Sequence, residues 1–190
     1  MQRPASRAHV AAGWLPDPTG TEDGDATQWE GDGMGASVDG TVAAGPEETA
    51  IRALYHGLLA AWNARDASAY AAHFDETAVV VGFDGSQMGG RGAIERTLAG
   101  IFADHATGRY VGIVRGVGWL APEVALLRAV AGIVPAGATD ISPAVNAVQT
   151  LVAVHHSDAW RVVLFQNTPA QLHNWPDLAE TLTQELRALL

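Results

Sequence analysis

From Arg109 to Thr168 the apolar residues recur with a period of two, and this constrains the chain more than any other feature. Four runs carry the pattern: 110–119, 124–134, 146–156 and 160–168. Side chains alternate across a strand, so these runs suit half-buried strands and not helices. Their links are short: 120–123, the Pro/Gly-bearing 135–143, and Ser157-Asp158. Successive strands with short links make an antiparallel meander. The last two runs flank a polar two-residue turn and read as a β-hairpin.

Upstream the period lengthens. Gly45-Pro46-Glu47-Glu48 is a helix start, because Pro suits the first turn and the two acids complement the helix dipole. Ile51, Leu54, Tyr55, Leu58, Leu59 and Trp62 then fall on one helical stripe that ends near Asn63. Asp66 can cap a second helix over 67–74, with Tyr70 and Phe74 inward. Residues 77–83 read as a strand, Asp84-Gly85 as a turn, and 86–89 as a short returning partner. Gly89-Gly90-Arg91-Gly92 leads into a third helix over 93–106, striped by Ile94, Leu98, Ile101 and Phe102. These glycines are not a phosphate loop, since the Lys-Ser/Thr that would hold phosphate and Mg²⁺ is missing. Asn174-Trp175-Pro176 opens a terminal helix whose narrow stripe (Leu178, Leu182, Leu186, Leu189) suits packing on the domain or on a second subunit. The expected class is α+β: a cone-shaped barrel, its curved mixed or antiparallel sheet holding three helices on the concave side. A cone tapers to a cavity.

The totals exclude several chemistries. The chain has 190 residues and a net charge of −10, which disfavours nucleic acid and anionic membrane as partners. All eleven cationic residues are arginine, so lysine nucleophiles are excluded. There is no cysteine, which excludes disulfides, thiolate nucleophiles and cysteine-held metals. No apolar run reaches membrane-spanning length, and the N-terminus lacks the apolar region of a signal peptide. A cytoplasmic location is the expectation. Residues 1–46 are rich in Gly, Pro and acid and show no period, so this extension is expected to be disordered, with Trp14 and Trp29 either stray or docking on the domain. A gene start called too early, with translation beginning near Met34, is a further reading of this extension. The domain is expected over 47–171 and the terminal helix over 172–190.

Polar residues gather at one end of the hairpin: Asn146, Gln149 and Thr150 on one arm, Gln166, Asn167 and Thr168 on the other. Pairing His156 with Ala159 puts Gln149 opposite Gln166, and Val148 opposite Asn167 on the other face. Amides bind carbonyl and hydroxyl groups but move no protons near neutral pH. The candidate ligand set is therefore Gln149, Gln166 and Asn167, joined by Trp62 and Trp119, which also suit the core. Acid–base candidates are few. Tyr55 faces inward by phase, Asp75 starts the first strand, and His105 ends the third helix, where a cation also complements the dipole. Asp84 fits turn chemistry. Arg128 sits in an apolar strand, either outward or as a pocket cation. His155 and His156 are adjacent and point to opposite faces, which argues against a shared metal. Neither metal nor cofactor is expected.

The order of elements resembles the cone-shaped fold of the nuclear transport factor 2-like superfamily, which includes ketosteroid isomerase, scytalone dehydratase and the SnoaL-type polyketide cyclases. Within it, residues 47–171 resemble the SgcJ/EcaC group, encoded with enediyne and other antibiotic biosynthesis genes. The matching pieces are AAWNARDASAYAAHF, GGRGAIE, RYVGIVRGVGWLAPEVALLRAVAGIV and, most specifically, NAVQTLVAVHHSDAWRVVLFQNTPAQ. The resemblance implies a small-molecule pocket and a homodimer formed through the outer sheet face. It gives Tyr55 a loose counterpart in the first-helix tyrosine that ketosteroid isomerase uses for an oxyanion. Where the group often has acidic and amide residues in the first strand, this chain has Ala78, Val79 and Gly82. The group is often labelled oxidoreductase, but no dinucleotide fingerprint or iron-binding triad supports that here. Three functions follow as expectations: proton transfer, cyclisation or dehydration on a bound polyketide-like intermediate; binding or sequestration of such an intermediate without turnover; or a structural dimerisation module. The first requires a carboxylate or histidine inside the cavity, and the last requires no cavity at all.

Overall fold

The computed structural model describes residues 45–156 and 159–190. The acidic extension with Trp14 and Trp29, and the Ser157-Asp158 turn, lie outside these residues.

Helix α1 (Pro46–Asn63) begins where Pro46 occupies the first turn beside Glu47 and Glu48. Its stripe Ile51, Leu54, Tyr55, Leu58 and Leu59 is buried as the spacing predicts. The chain then turns through Arg65, whose φ of 57° lies in the left-handed region. The Asp66 side chain accepts a hydrogen bond from the Ala69 amide at 2.9 Å and caps α2 (Ala67–Ala72). The second helix is shorter than expected. Phe74 belongs instead to β1 (Phe74–Val81), where it pairs with Val162, and it is still fully buried.

The six strands lie in the order β2-β1-β6-β5-β4-β3. Strand β1 runs parallel to β6, and every other pair is antiparallel, so the sheet is mixed. The meander is β3 (Arg109–Ala121), β4 (Val124–Val134), β5 (Ala147–His156) and β6 (Ala159–Pro169), with a 3-10 turn at Pro143–Val145 between β4 and β5. Among the described residues β2 (Gln87–Gly89) and β3 are the edges, so the curved sheet stays open and the cone is not a closed barrel. Register shifts in the β3–β4 ladder mark bulges, which bend a strand.

Helix α3 (Arg91–Asp104) starts after Gly90, whose φ of 85° admits glycine readily and few other residues. Helices α1, α2 and α3 share one core with the inner sheet face, built on Ile51, Leu58, Ile94, Leu98, Leu127 and Leu151. Helix α4 (Pro176–Arg187) packs on the other face against Val111, Val134 and Ile141, through Leu182 and Leu186. Leu178 and Leu189, the remainder of its stripe, are exposed. Arg187 forks onto Asp140 at 2.8 and 3.0 Å, and the Asn146 amide donates to the Thr183 hydroxyl at 2.9 Å. Among the described residues no helix is long and apolar enough to cross a membrane.

The hairpin register departs from the sequence expectation. His156 does pair with Ala159, and Ala153 with Val162. The ladder then shifts, with Val152 opposite Leu164 and Gln149 opposite Asn167. Val163 is the extra residue, a bulge that reverses the facing of everything after it in β6.

Candidate functional site

A cavity of about 270 Å³ opens between the inner sheet face, α1, α3 and the β1–β2 turn. Its volume lies just under the range of roughly 300–1,000 Å³ usual for drug-sized ligands, so it suits a compact molecule. Leu58, Leu59, Val80, Leu98, Ile101 and Phe165 supply most of the wall. Four neutral polar side chains join them: Tyr70, Tyr110, Gln149 and Asn167. Asp84 and Ser86 stand at the rim.

Local structure sets these side chains in place. The Trp62 indole N–H donates to the Gly108 carbonyl at 2.9 Å. The Asn63 amide clasps the Tyr110 backbone from both sides, accepting from its N–H at 2.7 Å and donating to its carbonyl at 2.9 Å. Arg65 donates to the carbonyls of Phe102 and His105 and closes the end of α3. The stretch Trp62-Asn63-Ala64-Arg65-Asp66 thus ties α1 to β3, α2 and α3. The Trp62 ring also meets Tyr110 edgewise (5.3 Å between centroids) and Tyr70 edgewise at 6.4 Å. Gly112, two residues on and on the same face as Tyr110, leaves room for the Tyr55 ring; a Cβ there would overlap the Tyr55 hydroxyl.

A buried relay runs along the cavity wall. The Tyr55 hydroxyl donates to Gln149 Oε1 at 2.7 Å, Gln149 Nε2 to Asn167 Oδ1 at 3.1 Å, and Asn167 Nδ2 to the Tyr110 hydroxyl at 2.9 Å. Gln149 is 1 % and Asn167 7 % exposed, so each link is made away from water. Losing one member strands its neighbours, at roughly 1–3 kcal/mol for each buried group left without a partner. Burial raises the pKa of Tyr55, Tyr70 and Tyr110 above the ordinary phenol value, and Asn167 partly offsets this at Tyr110. All three remain protonated donors near neutral pH.

The sequence-derived candidates divide accordingly. Gln149, Asn167 and Trp62 line the cavity. Gln166 does not; the bulge turns it to the outer face, where it is exposed and meets Thr168 Oγ1 at 3.3 Å. Trp119 is 45 % exposed and leans on Trp160 at 5.6 Å, outside the cavity. The acid–base set is not assembled. Tyr55 is fully buried and engaged with Gln149 behind the cavity wall. His105 is exposed beyond α3. Asp75 sits in a surface depression with Glu76, Arg91, His156 and Arg161, 3.4 Å from His156 Nε2. The Thr77 amide and hydroxyl hold its carboxyl below the usual carboxylate range. Asp84 is a turn residue, accepting from the Ser86 amide at 3.0 Å, and hydrogen bonds from Ser86 hold its pKa below the usual carboxylate range. Arg128 is exposed on the outer face. His155 stacks on Trp160 (5.1 Å), away from the Asp75–His156 contact. Tyr110 and Tyr70 were not singled out for chemistry by sequence reasoning. Their signal was the inward parity of Tyr110 with Gly112 and the inward phase of Tyr70 on α2.

No protein-family model matches the chain, and no curated protein matches it by sequence. Solved structures share its fold. A domain of unknown function with a cystatin-like fold from Nostoc punctiforme is 27% identical with a TM-score of 0.63, over 70% of this chain and 83% of that one. A nuclear transport factor 2-like protein of unknown function from Shewanella oneidensis is 19% identical (TM-score 0.51; 64% of this chain, 98% of that). A ketosteroid isomerase-like protein from Erwinia carotovora atroseptica is 14% identical (TM-score 0.53; 67% of this chain, 99% of that). The α+β cone of this chain is the fold of these nuclear transport factor 2-like proteins.

Proposed function

We propose that this protein holds a compact, uncharged, largely apolar small molecule in the cone and releases it unchanged. The observation that carries this reading is the chemistry of the lining. Among the described residues, the polar groups inside the cavity are two phenols and two amides, and the one lining carboxylate, Asp84, is committed to the rim turn. Phenols held neutral and amides can orient a ligand, but none of them accepts a proton near neutral pH. Proton transfer, cyclisation or dehydration would need such a group. A cavity of ligand size in turn counts against a purely structural module.

The resemblance to the SgcJ/EcaC group supports a ligand from secondary metabolism, a polyketide- or enediyne-type intermediate that is sequestered or delivered in the cytoplasm. A homodimer through the outer sheet face is part of the same reading: Val148 is exposed there, and Val130, Val152 and Leu164 on the same face are half-buried. Native mass spectrometry of the full chain purified from a polyketide-producing host tests both. The expected result is a dimer carrying a small molecule recovered intact after incubation. Chemical conversion of that molecule by the protein would overturn the non-catalytic reading, and a monomer would overturn the dimer.

A further inference from the structure

The hydrogen-bond relay has a direction. Gln149 Oε1 can only accept, so the Tyr55 hydroxyl must give it its proton. Gln149 Nε2 is then turned toward Asn167 Oδ1, and Asn167 Nδ2 toward the Tyr110 oxygen. Every link donates from Tyr55 toward Tyr110. The reverse arrangement would make Tyr55 an acceptor and leave its own proton in a fully buried core, where Gln149 is its only hydrogen-bond partner among the described residues. At the other end Tyr110 accepts from Asn167, and its own proton has no partner among the described residues. Tyr70 adds a second, independent observation. It is 5 % exposed and lines the same cavity, and its hydroxyl has no hydrogen-bond partner among the described residues.

We infer that Tyr110 and Tyr70 are the specificity-determining donors of the cavity, that Tyr55 is a positioning residue that orients the relay toward Tyr110, and that the ligand is a neutral ketone or quinone whose oxygen receives these donors. A hydrocarbon of the same shape would strip water from both phenols and return nothing. A carboxylate would be desolvated with no cation among the described lining residues to meet it. The inference rests on the reading of the cone as a ligand site.

Two probes of one shape test it: 1-tetralone, which carries a ketone, and tetralin, which does not. With the full chain, 1-tetralone is expected to bind about tenfold more tightly, the worth of one net hydrogen bond. Tyr110→Phe and Tyr70→Phe should each shrink that ratio, and the double variant should erase most of it. Tyr55→Phe should shrink it with Tyr110 still present, because the amides are then free to reverse and draw the Tyr110 proton toward Asn167. A packing role for any of these tyrosines would weaken both probes together and leave the ratio unmoved, which overturns the assignment of that residue. The infrared carbonyl stretch of 1-tetralone bound to the wild type needs no variant. It should fall below its value in a hydrocarbon solvent, and a hydrocarbon-like frequency overturns the inference. Equal binding of the two probes overturns the inference and leaves the ligand site standing. Binding of neither overturns both.

Discussion

Gln149 is the residue through which the two halves of the relay communicate. Replacing it by leucine keeps the volume and strands the Tyr55 proton and the Asn167 carbonyl. The expected loss is about 3 kcal/mol of unfolding free energy in urea. Tyr55→Phe in the same chain should recover part of it, because the stranded donor is gone, and an additive double mutant would contradict the coupling. His73 offers a pH test. Burial, and then the nearby Arg161, hold its pKa below the ordinary 6.5. Above 6.5 both folded and unfolded chains carry it neutral, and stability is complete. As pH falls below 6.5 the unfolded chain takes up the proton first, so stability drops until the folded value is passed. Between pH 8 and 5, the Tm of His73→Gln should fall less than that of the wild type; equal slopes would contradict this.

At the scale of elements, the clasp of Asn63 on Tyr110 is where α1 grips the sheet. Asn63→Ala removes both hydrogen bonds from an edge strand, with an expected loss of about 2 kcal/mol seen as a lower urea midpoint. Much of this level was legible in the sequence. The α1 stripe, the Asp66 cap and both ends of β4 are where periodicity and capping chemistry put them. The misses have physical causes. Val162-Val163-Leu164-Phe165 is apolar throughout, so alternation carries no parity signal where the bulge sits, and the register expected from the turn failed beyond it. Phe74 is buried whether it ends a helix or starts a strand. Trp119 has inward parity, but parity says nothing about how far along the strand the cavity extends. Tyr110 was hidden because its role depends on Asn167 facing it across the sheet, which only the bulged register brings about.

On the scale of the whole molecule, the sheet separates two bodies of packing. Leu186 is fully buried beneath α4, on the face away from the cavity. Leu186→Ala should cost about 2–4 kcal/mol in unfolding experiments while the affinity for 1-tetralone stays within about twofold. A parallel loss of affinity would show that the two faces are coupled through the sheet. The bulge at Val163 reaches further than the hairpin that contains it. The amino acids available to β6 include Gln166, Asn167 and Thr168, and the position of one surplus residue decides which of them the cavity meets. Were that surplus to migrate past Asn167, composition and length would be unchanged, yet Gln166 would turn inward and Asn167 would meet solvent. A lineage of such proteins could therefore exchange its ligands by moving a defect along a strand, and an alignment of the residues alone would record nothing.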